Sequence, residues 1–162
     1  MNYKFEKLKL NSSFMRFDSI QTKLKVHYQK QFNKLLRSRT INIEFEVNND
    51  FYSDLDIKVS IYKKDKYVAH FYINSLAGQC STILFNTTCI SPTFRNKGIF
   101  TNLQIMKENI GNMLGFTYMM QTCIDNSKES DIIKRTSNPI FKGINNRTDN
   151  NVVFYIKQIE ND

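Results

Sequence analysis

The sequence predicts an α/β (α+β) fold in which a mixed, mostly antiparallel sheet is flanked by helices. Three observations lead to this prediction. Apolar residues recur at three- and four-residue steps from Phe17 to Leu35, apolar and polar residues alternate from Thr40 to Val47, and the apolar run Thr82–Ile90 leads through a basic turn into a second helical stripe. A single domain over residues 1–162 is enough to hold these elements.

The first elements are a short apolar segment and a long helix. From Lys4 to Leu10, apolar residues stand among lysines, which indicates a short strand or a strand-like arm. Ser12 and Ser13 are residue types that cap helix N-termini, and the stripe after them predicts one long amphipathic helix, or two with a bend. The basic residues of this helix are expected to form a solvated face, with a nucleic-acid or partner surface as the alternative.

Three antiparallel strands are expected next. The alternation from Thr40 to Val47 predicts a half-buried strand, which the polar run Asn48-Asn49-Asp50 is expected to break. Residues 55–62 and 67–73 predict two more strands, joined by the turn Lys63-Lys64-Asp65-Lys66. A hairpin or meander results.

The second half of the chain alternates strands with helices. The run Thr82–Ile90 predicts a strand that Pro92 ends, because proline has no N–H to give to a ladder. A helical stripe begins at Ile99 and closes at Gly115, a typical residue just past a helix C-terminus. The remaining expected elements are a buried strand at 116–124, a shorter helix from Asp125-Asn126-Ser127 to about Arg135, and strand-like segments at Phe141 and 152–159.

Composition limits the class of protein. Hydrophobic residues make up 41% and charged residues 23% of the chain, as in an ordinary globular domain. No apolar run approaches the ~20 residues that span a bilayer, and no signal-peptide pattern is present, so we expect a cytoplasmic protein. The net charge of +8 suits nucleic acid, an anionic surface or an anionic cofactor, or reflects only a Lys-, Asn- and Ile-rich composition.

The cysteines do not form a recognisable framework. Cys80, Cys89 and Cys123 are odd in number, show no C-x-x-C spacing, and have only two histidines to join them. This pattern argues against disulfides and against a metal site. We expect all three to be buried as small hydrophobic residues.

The turn from Ile90 to Phe100 has the composition of an anion site. Backbone N–H groups at the start of a helix lack intrahelical partners and lie at the positive end of its dipole. Arg95 and Lys97 add positive charge, and Gly98 lets a ligand approach the backbone closely. The turn is therefore predicted to bind a phosphate.

This turn resembles the pyrophosphate loop of the GNAT family of acyl-coenzyme A-dependent N-acetyltransferases. The similarity lies in the spacing Ile90-x-Pro92-x-x-Arg95-x-x-Gly98, and the order of predicted elements over nearly the whole chain is also that of the family. Phe100 departs from the pattern, since the family favours Gly or Ala there. Asn126 follows the next strand, where many members place an Asn toward the pantetheine arm, although Asn-Ser is also a good helix cap.

The resemblance implies transfer of an acyl group from acetyl-CoA, or another acyl-CoA, to an amine by direct attack, with no covalent enzyme intermediate and no metal. It places the pyrophosphate on the backbone of the turn, and the pantetheine on strand backbone exposed where the fourth and fifth strands separate. The implied cofactor-binding residues are Cys89, Ile90, Arg95, Asn96, Lys97, Gly98, Ile99, Phe100 and Asn126.

No catalytic residue is predicted. The strand Thr82–Ile90 has no Asp or Glu, and Ile133 occupies the position where the family often has a tyrosine acid. Possible replacements, each with a simpler structural explanation, are Glu44, Glu46, His70 and Tyr155. The acceptor amine, whether small molecule, protein or nucleic acid, and the oligomeric state are not predicted. The alternative function is a non-catalytic, basic GNAT-like module that binds nucleic acid or a protein partner.

Overall fold

A computed structural model describes residues 3–10, 16–51, 54–75, 81–124, 127–137, 139, 141–145 and 152–160. The helices are α1 (Phe17–Leu35), α2 (Ile99–Met113) and α3 (Lys128–Ser137). The strands are β1 (Ile41–Phe51), β2 (Asp54–Lys63), β3 (Lys66–Ser75), β4 (Thr82–Ile90), β5 (Tyr118–Ile124), β6 (Phe141–Asn145) and β7 (Val152–Gln158). They form one mixed sheet beside helices, as predicted.

The sheet is antiparallel except at its centre. Its strand order is β1-β2-β3-β4-β5-β7-β6. Only the pairing of β4 with β5 is parallel within the described residues, and a parallel pair needs a crossover connection. Helix α2 makes this crossover and thereby begins at the end of β4, next to the centre of the sheet.

The second half of the chain follows the sequence prediction closely. Strand β4 has the predicted bounds, and α2 ends before Gly115, whose φ of 82° is one that glycine adopts without strain. Ser127 caps α3, since its hydroxyl accepts a hydrogen bond from the N–H of Ser130 at 3.1 Å. Asp125 and Asn126, also expected in this cap, lie outside the described residues.

The predicted break after Val47 is wrong. Strand β1 continues to Phe51, and a bulge between Val47 and Asn49 absorbs the irregularity in its pairing with β2. The polar side chains expected to end the strand instead bond across it: the Asn49 amide donates to the Asp54 carboxylate at 2.9 Å. Pairing with β2 therefore overrides the local turn preference of these residues.

The segment from Lys4 to Leu10 is an arm and not a strand. Two asparagines of α2 bind its backbone, each with a side-chain amide that offers a donor and an acceptor like a peptide group. Asn102 accepts from the N–H of Phe5 at 2.7 Å, and Asn109 accepts from the N–H of Leu8 at 2.7 Å. Helix α1 is a single helix that begins at Phe17, and Ser12 and Ser13 lie outside the described residues.

Two apolar clusters hold the elements together. The larger joins the arm, α1, α2 and strands β1 to β5, and the smaller consists of Phe100, Ile133, Val153 and Tyr155. Phe100 is only 8% exposed and packs in the smaller cluster, so this bulky residue at the start of α2 points into the protein.

None of the described helices has the length and apolar character needed to cross a membrane.

Candidate active site

The central strands separate into a fork. Residues 82–85 of β4 pair with residues 118–121 of β5, and the last pair joins Phe85 to Gln121. Past that pair, no ladder joins β4 to β5 in the described residues, although β4 still pairs with β3 and β5 with β7. Within the described residues, the edge of β4 that faces the fork therefore has no strand partner past Phe85.

A bulge lies in β4 at the fork. His70 pairs with Cys89 while Tyr72 pairs with Asn86, so two residues, Thr87 and Thr88, lie opposite one residue of β3. Thr87 has a φ of 49°, in the left-handed region. A bulge of this kind redirects the side chains beyond it. The hydroxyl of Thr88, one of the two bulged residues, accepts a hydrogen bond from Lys107 of α2.

The turn between β4 and α2 presents a row of backbone donors. Within the part of the chain that the structure describes, no atom accepts a hydrogen bond from the N–H groups of residues 97–101. Asn96 and Gly98 have φ values of 59° and 76°, and a Cβ on Gly98 would meet only the Asn102 amide at 3.7 Å. The backbone conformation thus favours glycine at this position, and space remains above it. Unpaired N–H groups at a helix start suit a phosphate.

A pocket of about 480 Å³ extends from the β4 side of the fork to this turn. Helix α3 closes its far side with Lys128, Glu129 and Ile132. Of the predicted cofactor-binding residues, those that line the pocket are Cys89, Ile90, Arg95, Asn96, Gly98, Ile99 and Phe100. Lys97 lies in the turn but not on the pocket wall, and Asn126 lies outside the described residues.

The positive charge of the pocket is partly fixed in place. Arg95 donates from Nε to the carbonyl oxygen of Ile90 at 3.3 Å, which holds its side chain beside the end of β4. Lys97 and Lys128 are exposed nearby, and Glu129 supplies one opposite charge. The mouth of the pocket therefore carries excess positive charge that suits a polyanionic ligand.

Sequence reasoning missed Lys107, a buried lysine at the base of the fork. Only 1% of its surface is exposed, and its Nζ donates to Thr88 Oγ1 at 2.6 Å and to Gln121 Oε1 at 3.3 Å. It also lies 5.3, 5.9 and 5.5 Å from the ring centroids of Phe71, Phe85 and Phe100. Burial lowers the pKa of Lys107 to about 7, an effect that Cys123 partly opposes.

A signal for Lys107 was present in the sequence. It lies four residues after Leu103 and three before Ile110, so it falls on the apolar stripe of α2 and not on its polar face. A charged residue in such a stripe indicates a buried ion that needs polar partners.

The candidate catalytic residues Glu44, Glu46 and Tyr155 do not line the pocket. Glu44 and Glu46 are exposed on β1, away from the pocket. Tyr155 is buried, and its hydroxyl is hydrogen-bonded to Ser130. Ile133 is buried in the smaller apolar cluster.

His70, the remaining candidate, is hydrogen-bonded to a tyrosine of the same strand and does not line the pocket. Its Nδ1 lies 2.7 Å from the hydroxyl of Tyr67, which is also 3.3 Å from the carbonyl oxygen of Cys89. Burial, helped by the charge of Lys58, lowers the pKa of His70. The pair therefore lies directly beside the strand that forms the pocket wall.

The expectation that all three cysteines are buried is wrong for Cys89. Its side chain is exposed at the pocket, because it follows the bulge at the open end of β4. Cys123 is partly buried, and Cys80 lies outside the described residues. The described His, Cys, Asp and Glu residues form no group of three or more that could hold a metal ion.

Comparison with solved structures identifies the architecture. An acetyltransferase of the GNAT family from Bacillus cereus ATCC 10987 aligns with a TM-score of 0.51 and 11% identity, over 64% of this chain and 71% of that one. The fold is that of the GNAT acetyltransferases. No protein-family model matches the sequence, and no curated protein is significantly similar to it.

Two further solved structures with the GNAT fold are of enzymes that acetylate ribosomal proteins. The Escherichia coli ribosomal-protein alanine N-acetyltransferase aligns with a TM-score of 0.54 and 9% identity, over 66% of this chain and 71% of that one. The Salmonella typhimurium acetyltransferase that modifies the N-terminal serine of a ribosomal protein aligns with a TM-score of 0.53 and 12% identity. The alignment covers 65% of this chain and 64% of the length of the Salmonella enzyme.

Proposed function

We propose that this protein is an N-acyltransferase that transfers an acyl group, most simply acetyl, from coenzyme A to an amine. The observation that carries the proposal is the continuity of the pocket: it runs from the fork in a GNAT-fold sheet to the free N–H groups at the start of α2. A long ligand with an anionic end and a neutral arm fits these two features together.

Each part of the pocket has a role in this proposal. The N–H groups of residues 97–101 and the Arg95 guanidinium bind the pyrophosphate, with Lys97 and Lys128 adding charge. The part of β4 beyond its pairing with β5, at Cys89 and Ile90, lines the pocket and binds the pantetheine arm. A bound CoA thioester supplies an acyl carbon open to attack and a thiolate leaving group. The residues around it position that carbon for direct attack by the amine, which alone supplies a large part of the acceleration.

Calorimetry with acetyl-CoA and CoA tests the proposal. Gly98→Glu places a carboxylate and a strained backbone where the pyrophosphate binds, so we expect the affinity to fall at least about tenfold. Gly115→Glu is the matched control, because it changes a second left-handed glycine at the opposite end of the same helix. Absence of CoA binding to the unaltered protein would refute the proposal. If both variants lose the same affinity for CoA, the turn at Gly98 is not the pyrophosphate site.

Protein amino groups are the first acceptors to test. Two enzymes whose solved structures have this fold acetylate ribosomal proteins, one at an N-terminal serine and the other at an alanine. We therefore suggest assays with N-terminal peptides beside small amines and nucleic acids. No described feature favours the alternative of a non-catalytic binding module over catalysis.

A further inference from the structure

The buried pair of Lys107 and Thr88 lies where the proposed reaction requires a proton. Thiol esters break to release a thiolate, and an acid that protonates it lowers the barrier. Thr88 lines the pocket at the fork, and its hydroxyl accepts a hydrogen bond from the Lys107 ammonium, which is not itself one of the residues that line the pocket. The hydroxyl therefore connects a buried proton source to the ligand space.

We propose that Thr88 is a catalytic proton donor of this site and that Lys107 is the positioning residue that recharges it. This inference rests on the proposed function, since it assigns a role in the same reaction. Lys107 donates to the Thr88 oxygen, so the hydroxyl hydrogen of Thr88 is available for a different acceptor, and Thr88 is a residue of the pocket wall.

The proton balance is complete with these two residues. As the new C–N bond forms and the C–S bond breaks, Thr88 gives its hydroxyl proton to the departing sulfur and takes one from the Lys107 ammonium. The neutral Lys107 amine then regains, through Thr88 and solvent, the proton that the attacking nitrogen loses. No oxidant, metal or further reactant is needed.

The surroundings of Lys107 suit a group that both gives and takes a proton. Burial weakens its hold on the proton so that its pKa is about 7, while the Thr88 and Gln121 oxygens and three ring faces keep the charged form in place. Cys123 of β5 is the titratable group whose charge acts on it. The other contacts, from β3, β4 and the start of α2, do not titrate: Phe71, Phe85, Thr88 and Phe100.

Two substitutions of Thr88 separate this role from a structural one. Thr88→Val keeps the shape of the side chain and removes the hydroxyl, whereas Thr88→Ser keeps the hydroxyl. The first measurement needs no turnover: the thiol of bound CoA is titrated by its ultraviolet thiolate absorbance. We expect the acid ionisation constant of the bound thiol to be about tenfold smaller in Thr88→Val than in the unaltered protein, and to be preserved in Thr88→Ser.

The second measurement is the pH profile of kcat. An acid with a pKa near 7 gives a falling limb above neutral pH, and we expect Thr88→Val to lose that limb together with about a hundredfold of kcat. Thr88→Ser should retain both. Lys107→Met, where it folds, should behave like Thr88→Val.

The outcomes distinguish the two proposals. If the unaltered protein does not bind CoA, the proposed function and the proton donor are both overturned. If CoA binds equally well to both Thr88 variants and its thiol titrates identically in them, the acyl-CoA site stands and the proton donor is overturned. Equal kcat profiles in the two variants would also overturn it.

Discussion

Replacing Lys107 by methionine should change how the stability of this protein depends on pH. An ordinary lysine has a pKa of 10.5, and burial in the fold lowers that of Lys107 to about 7. Below pH 7 both the folded and the unfolded chain hold the proton, so the cost of burying the ammonium is fully present. Between about pH 7 and 10.5 the unfolded chain keeps a proton that the folded chain has released, and the free energy of unfolding therefore rises with pH.

The size of the effect follows from the same pKa difference. Each tenfold difference in proton affinity corresponds to about 1.4 kcal/mol, so the total linked free energy is about 5 kcal/mol. Between pH 7 and 9 the unaltered protein should gain about 2 kcal/mol of stability relative to Lys107→Met. The comparison with the variant cancels the other titrating groups that the two proteins share.

Urea unfolding followed by circular dichroism at pH 6, 7, 8 and 9 measures this difference. Lys23→Met, which changes an exposed lysine of α1, controls for the loss of one positive charge. Equal m-values would show that both proteins unfold to comparable states. A stability difference between Lys107→Met and the unaltered protein that stays constant over this range would refute the assignment of Lys107 as a buried, weakened base.

Two further predictions concern side chains that join α2 to the rest of the fold. Asn109→Ala removes the acceptor of the Leu8 N–H and of the buried Tyr28 hydroxyl, so the free energy of unfolding should fall by about 2 kcal/mol. Hydrogen exchange at the Leu8 amide should also accelerate, and an unchanged exchange rate would contradict this reasoning. Glu108→Gln weakens the contact to Lys157, whose Nζ lies 2.8 Å from the carboxylate in a mostly buried pair, and should cost about 1–3 kcal/mol in thermal or urea unfolding. Asp18→Asn, in an exposed pair, should change stability by less than about 0.5 kcal/mol, and equal effects in the two variants would count against the burial argument.

Local sequence signals were sufficient to predict the bounds of those elements that end at a residue of their own, such as a proline or a glycine. Pro92 stops β4 and Gly115 follows the end of α2, and both elements were predicted within a residue or two. The turn between them was recognised because its charges and glycine are contiguous in the sequence. None of these features depends on contacts with residues far away in the chain.

Other features depend on residues far apart in the chain. The polar run after Val47 remains strand because β2 supplies partners for it, and the arm at Phe5 is fixed by a side chain of α2. The fork is likewise a property of two strands and not of either one. Lys107 was missed for the same reason: its stripe position is visible, but its partners Thr88 and Gln121 come from different strands.

The arm also imposes an order on the assembly of the protein during synthesis. Phe5 and Leu8 find their backbone partners in Asn102 and Asn109, which follow 97 and 101 residues later in the chain. The arm is translated before α2, so it cannot be anchored until α2 has left the ribosome, and contacts of such long range form late. The hydrogen bonds that fasten the arm can therefore form only after the helix that follows the anion-binding turn has been completed.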